Sequence, residues 1–191
     1  MKNLFAILIC FLVFASPLTA QKSKQQPVVI PELPVDSTTG LYSYIKVVEV
    51  AGISKAELYT RAFAWANSYY KNPGDVVREK NPEEGKLLIK ARFKIFNEAD
   101  KKGVVTGAGD VMYTLSLGLK DGKYRYEITK INWQQTSAFP IERWKDTTSP
   151  SFSPSYPYYL KQTDEEIRKI IASLEKGMSV EVVLQGATSS T

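Results

Sequence analysis

The apolar positions of this chain change period several times, and each change marks an element. Residues 41–50 gather Tyr42, Tyr44, Ile45, Val47, Val48 and Val50 into one short run. Aromatic and β-branched residues packed this closely predict a strand, which Gly52 ends. Ser54 with Glu57 has the spacing of a capping box, in which a hydroxyl and a carboxylate answer the free amides of a helix start. Leu58, Ala62, Trp65 and Tyr69 then recur every three or four residues, as do Tyr59, Phe63, Ala66 and Tyr70. That spacing predicts a helix with a wide apolar face, suited to a flat partner and stopped by Asn72-Pro73-Gly74.

A short strand is expected over 76–80, followed by the turn residues Asn81 to Gly85. Residues 86–96 alternate. Leu87, Ile89, Ala91, Phe93 and Ile95 fall on one side, and Lys86, Lys90, Arg92 and Lys94 on the other. Period two predicts a half-buried strand with a wet, basic outer face. A polar connection over 97–109 leads to strands at 110–120 and 123–134, joined by Asp121-Gly122. That dipeptide predicts a two-residue turn with positive φ at both positions. The turn then fixes the register. Leu119 faces Tyr124, Leu117 faces Tyr126, Leu115 faces Ile128 and Tyr113 faces Lys130, while Gly118, Ser116 and Thr114 face Arg125, Glu127 and Thr129. A slip of one residue would mix the two faces.

Residues 135–160 break the pattern, with Pro140, Pro150, Pro154 and Pro157 among many Ser and Thr and the aromatics Phe139, Trp144, Phe152, Tyr156, Tyr158 and Tyr159. They read as a long Pro/aromatic loop. Thr163 with Glu166 predicts a second capping box. The helix it opens carries Ile167, Ile170, Ile171, Leu174 and Met178 on one side, stopping at Gly177 or running on toward Leu184. The order β-α-β-β-β-β-α gives an α+β fold, a two-layer sandwich of one antiparallel sheet with two helices on one face.

The N-terminus adds a context. Lys2, an apolar run over 4–14, Pro17 and Ala20 have the layout of a signal peptide spanning 1–20, cut to leave Gln21. The run is short for a bilayer, so no transmembrane segment is expected after cleavage. Residues 21–40, with Pro27, Pro31 and Pro34, read as a Pro/Gln-rich linker, 41–186 as the single domain, and 187–191 as a disordered tail. The protein is expected to be exported, either periplasmic or extracellular.

Composition narrows the chemistry. The chain has no His, and its one Cys, Cys10, lies inside the expected leader. The mature chain therefore lacks the commonest general base, thiolate nucleophile and soft metal ligands. No cofactor and no metal are expected. The net charge of +5 falls to +4 without Lys2, too mild and too scattered for a nucleic-acid footprint. Gly107 and Gly109 give a G-x-G without the following Gly, Lys and helix of a phosphate loop.

No catalytic residue is assigned. Two surfaces are candidates for a ligand or partner. One is the aromatic segment with Arg143, Trp144, Phe152, Tyr156, Tyr158 and Tyr159, residues with apolar bodies and polar tips. Its alternative role is to cover a sheet edge. The other is the basic sheet face with Lys90, Arg92, Lys94, Arg125 and Glu127, suited to an envelope protein, an anionic glycan or a lipid head group. Its alternative role is an ordinary solvated face. A carboxylate hydrolase acting through Glu127 or Asp110, and an accessory subunit of an envelope assembly, are the competing functions.

The residues Tyr44 to Val50, Ser54-Lys55-Ala56-Glu57-Leu58-Tyr59 and Ala64-Trp65 lead into the 86–96 strand, the hairpin ending Ile131-Asn132-Trp133, and the helix from Ile167 to Leu174. Together they resemble an uncharacterised family of exported bacterial domains, domain of unknown function 4468, whose fold is like that of the TATA-binding protein. The resemblance covers about 41–174. It implies that fold and an exported context, and it carries no activity or catalytic residue. Binding of DNA is not implied, because function lives in sites.

Overall fold

A computed structural model describes residues 29–134 and 137–179; the expected leader and tail lie outside the described residues. The elements are β1 (Tyr44–Glu49), α1 (Lys55–Tyr69), the single turn α2 (Pro73–Val76), β2 (Val77–Asn81), β3 (Lys86–Phe96), β4 (Gly107–Lys120), β5 (Lys123–Gln134), β6 (Ala138–Pro140), a 3₁₀ helix (Ile141–Lys145) and α3 (Tyr156–Ser179). The strands build one antiparallel sheet in the order β1-β5-β4-β3-β2, with β6 continuing the line of β1 along β5. Both long helices pack on the same face, giving the two-layer α+β sandwich.

Ser54 opens α1 as expected, its Oγ accepting the Glu57 N–H at 3.2 Å. The Glu57 carboxylate turns instead to Arg61, accepting from Nε at 2.8 Å. Arg61 is buried and also donates to the carbonyl of Met178 at 3.1 Å. Trp65 donates from Nε1 to Ser173 Oγ at 3.1 Å. These two polar ties bind α1 to α3 through an otherwise apolar seam. On α3 the buried positions Tyr156, Tyr159, Leu160, Thr163, Ile167, Ile170, Leu174 and Met178 repeat at steps of one, three or four, a continuous stripe laid on the sheet.

The hairpin register runs as expected from Lys120↔Lys123 to Thr114↔Thr129. Beyond it the expected Tyr113–Lys130 pairing fails. Met112 pairs with Asn132, so Lys130 and Ile131 together stand opposite Tyr113 in a β-bulge. The bulge switches the buried phase of β5 from Tyr124, Tyr126 and Ile128 to Ile131. A regular strand would point Lys130 into the core and Ile131 toward water. Lys130 instead takes φ 52°, the one non-glycine residue with positive φ among those described.

The turn also differs from expectation. Gly122 has φ 74°, while Asp121 stays outside the left-handed region. Contacts to the neighbouring helix start hold it: Asp121 Oδ1 accepts the Lys55 N–H at 2.7 Å, and the Gly122 N–H donates to Ile53 O at 2.8 Å.

The second capping box is not found. α3 begins at Tyr156, seven residues before Thr163, which is fully buried in mid-helix. Much of the segment read as loop is structured, with β6, the 3₁₀ helix and the first turn of α3. Residues 33–42 also pack down from the expected linker. Leu33 is buried, Val35 bridges Tyr42, and Asp36 Oδ1 accepts the N–H groups of Thr38 and Thr39 at 2.8 Å each.

Candidate functional site

One face of the sheet lies under α1 and α3, and the other carries no element among the described residues. Strand alternation decides which side chains reach that bare face. Lys90, Arg92 and Lys94 project from β3 and Arg125 from β5, all exposed, with Glu127 half-buried between its neighbours. Two cross-strand rows matter. Ile45, Glu127, Ser116, Leu88 and Glu79 align across the sheet, and so do Val47, Arg125, Gly118 and Lys86. Glu127 pairs with Arg125 on its own strand. Asp110 sits 3.6 Å from Arg92 Nε and 3.9 Å from Lys94 Nζ. Thus Arg92 is partnered by Asp110, and Glu127 by Arg125.

Asp110 and Glu127 do not form a catalytic pair. Glu127 faces Ser116, six positions along β4 from Asp110. At about 3.4 Å per residue that is about 20 Å. Glycoside chemistry needs two carboxyls within about 5–9.5 Å. Elsewhere Asp36, Glu84 and Asp146 are held below the usual carboxylate range. The causes are the backbone N–H of Thr39, the ammonium of Lys86 and the hydroxyl of Thr148 respectively. That direction is opposite to the one a general acid at neutral pH requires. Among the described residues no group of three acidic, His or Cys side chains gathers where a metal ion could sit.

The aromatic candidates separate on inspection. Trp144 is fully buried, with Tyr156 and Tyr159 nearly so. Its ring stacks on Tyr156 at 5.6 Å and meets Trp133 edge-on at 5.5 Å, with Tyr159 at 5.7 Å. Tyr159 donates its hydroxyl to Asn97 Oδ1, and Trp133 donates from Nε1 to Ala108 O at 2.9 Å. Trp144, Tyr156 and Tyr159 are therefore core side chains that close one end of the sandwich, which corrects their reading as a contact surface. Phe152 and Tyr158 are half-buried against the same core. Arg143 is exposed, its guanidinium 4.7 Å from the Phe139 ring.

Two open grooves flank the sheet. The first, of about 690 Å³, runs between β1 and α3 and is lined by Asp36, Lys46, Arg168 and Glu175 among others. Its charges are matched: Lys46 meets Glu175 at 2.8 Å and Arg168 meets Asp164 at 2.8 Å. Burial, reinforced by the charge of Glu175, pushes the Tyr126 phenol there up to about 12.

The second groove, of about 780 Å³, reaches from the α1–α2 junction over β3 and β4 to the bulge of β5. Lys71, Arg78, Lys90, Arg92 and Lys130 line it, against the single carboxylate of Asp75. At its floor Tyr70 and Tyr113 share a hydroxyl hydrogen bond of 2.9 Å, and burial raises both phenols far above neutrality. Of these cations sequence reasoning reached Lys90 and Arg92. Lys71, Arg78 and Lys130 are far apart in the chain, and only the bulge signal, the shift of apolar phase between Ile128 and Ile131, marks Lys130.

Comparison with known proteins places the fold. Residues 44–134 match the model of a domain of unknown function (DUF4468) with TBP-like fold. A TBP-like protein from Parabacteroides distasonis ATCC 8503 superposes with a TM-score of 0.60 at 16% identity, covering 78% of this chain and 98% of that one. A DUF4468 family protein from Bacteroides ovatus ATCC 8483 does so with a TM-score of 0.60 at 14% identity, covering 79% and 91%. At such identities the likeness speaks for the fold alone. No curated protein matches the chain in sequence.

Proposed function

Because residues 44–134 are a domain of the DUF4468 family with a TBP-like fold, a family described without an activity, we propose that this protein is an exported, non-catalytic binding module that holds its ligand or partner on the bare face of its sheet. One observation carries the reading. A sheet with both faces available to cover leaves one open, and that open face is set with Lys90, Arg92, Lys94 and Arg125. Two of its carboxylates, Glu127 and Asp110, are each engaged with cations and stand far apart. Such a face suits holding an acidic surface of the cell envelope more than bond-breaking chemistry. The leader-like residues 1–20 support export.

The experiment is retention of cell-envelope material from the producing organism on the immobilised protein. Charge reversal on the bare face, Lys94→Glu with Arg125→Glu, is expected to lose the retained material. Reversal on exposed positions of α3, Lys161→Glu with Lys176→Glu, is expected to keep it. Mass spectrometry of the protein recovered from its host is expected to show a chain starting at Gln21. Equal retention by both charge-reversed forms, or a recovered chain that still starts at Met1, contradicts the reading.

A further inference from the structure

Resting on that reading of the bare face, we propose that the groove between the α1–α2 junction and the β5 bulge binds an acidic sugar chain, carboxylated or phosphorylated. The charge argument comes first. Five cations line the groove against one carboxylate. Arg92 is shared with Asp110. Lys71, Arg78, Lys90 and Lys130 make no ion pair with any described residue. Each surface Lys or Arg is ordinarily solvated at little cost, but four unmatched cations around one concavity repel one another and raise the local concentration of anions. The β1–α3 groove has similar size and balanced charges, so it offers no such preference.

Shape and lining select among anions. A groove of about 780 Å³ is far larger than one inorganic anion needs and falls within the span of ligand sites, about 300–1,000 Å³. Between the cations stand the hydrogen-bonding groups of Asn72, Thr114 and Asn132. Amides and hydroxyls interleaved with ammonium groups match a ligand that alternates hydroxyls with negative charges. Of its two rings Tyr113 is buried and Tyr70 half-buried, so among the described residues lining the groove no fully exposed ring offers a stacking platform for bases. Exposed apolar surface that would anchor an acyl chain is equally lacking, Met112 and Val76 being half-buried.

The bulge is the second, independent observation. Lys130 holds a left-handed backbone that glycine or asparagine would adopt more easily, and the Asn132 side chain ties down its carbonyl at 2.7 Å. Bulges re-aim side chains. This one turns a cation into the groove's rim while Ile131 enters the core. Replacement by glycine therefore separates the two roles: it relaxes the backbone and removes the charge.

The test is calorimetric titration of the full chain with a short oligogalacturonate, its methyl-esterified form and a phosphorylated oligomannose. Binding of one or both acidic probes, weakening as salt rises, and none of the ester is expected. The two acidic arms tell carboxylate from phosphate. Lys90→Ala and Lys130→Gly are each expected to lower affinity about threefold and together about tenfold, in line with exposed charge pairs. The melting temperature of Lys130→Gly should stay level or rise. Equal binding of the ester, or unchanged affinity in the double variant, overturns the proposal. If neither acidic probe binds while Lys94→Glu with Arg125→Glu still loses envelope material, the face is a contact surface and the ligand class is wrong; if both fail, the reading of the face falls as well.

Discussion

Two residues show how far a side chain's chemistry depends on where the fold puts it. Thr163 has the sequence setting of a helix cap, a hydroxyl three positions before Glu166, yet it lies inside α3 with its hydroxyl buried and unpartnered among the described residues. A true cap replaced by an aliphatic residue costs about 1 kcal/mol. A buried hydroxyl without a partner replaced by a methyl of the same shape costs nothing or stabilises. Thr163→Val is therefore expected to leave stability level or raise it by up to about 1 kcal/mol in urea unfolding; a loss of that size would restore the capping role. Capping signals are local, and here the helix starts earlier because Tyr156, Tyr159 and Leu160 bury against Trp144 and the sheet. Trp144 was equally illegible. An aromatic ring beside Pro and Ser reads alike whether it faces a partner or a neighbour's ring, because the same apolar area drives both.

At the scale of elements, legibility followed period. β3 and β5 keep the boundaries that their alternation predicts, and the hairpin register holds as far as Thr114↔Thr129. The failure at Tyr113 and Lys130 has a cause that sits in the sequence: Ile128 and Ile131 belong to different phases of a period-two pattern, and only an extra residue reconciles them. The packing of α1 on α3 was not legible, since helical periodicity gives a face and not its partner. Gly177 marks that contact. A Cβ built there would lie 2.8 Å from Trp65 Cδ1, and Trp65 is fixed by its bond to Ser173. Alanine gains about 1 kcal/mol of helix propensity over glycine, while overpacking of this kind costs about 1–3 kcal/mol. Gly177→Ala is expected to lower the unfolding free energy by about 1 kcal/mol. A stabilised variant would show that the two helices separate freely at this point.

The whole molecule is asymmetric. Its helices, its aromatic cluster and its long crossover all lie on or close one side of the sheet, and the opposite side keeps strand alternation as its only order. The layer architecture was readable from element order. The basic groove was not, because Lys71, Arg78, Lys90 and Lys130 come together only through strand order and a bulge. Nothing in their spacing announces a site. The proposed function at this scale rests on what the fold leaves uncovered: among the described residues the bare face is open and cationic, and its Asp110 and Glu127 stand about 20 Å apart.

An amide NMR map with short oligogalacturonate addresses both halves of that claim at once. The account predicts shifts concentrated at Lys90, Arg92, Met112, Thr114, Lys130 and Asn132, with the sugar's own proton signals unchanged on prolonged incubation. Shifts confined to α1 and α3, or new reducing-end signals from a cleaved sugar, would contradict it.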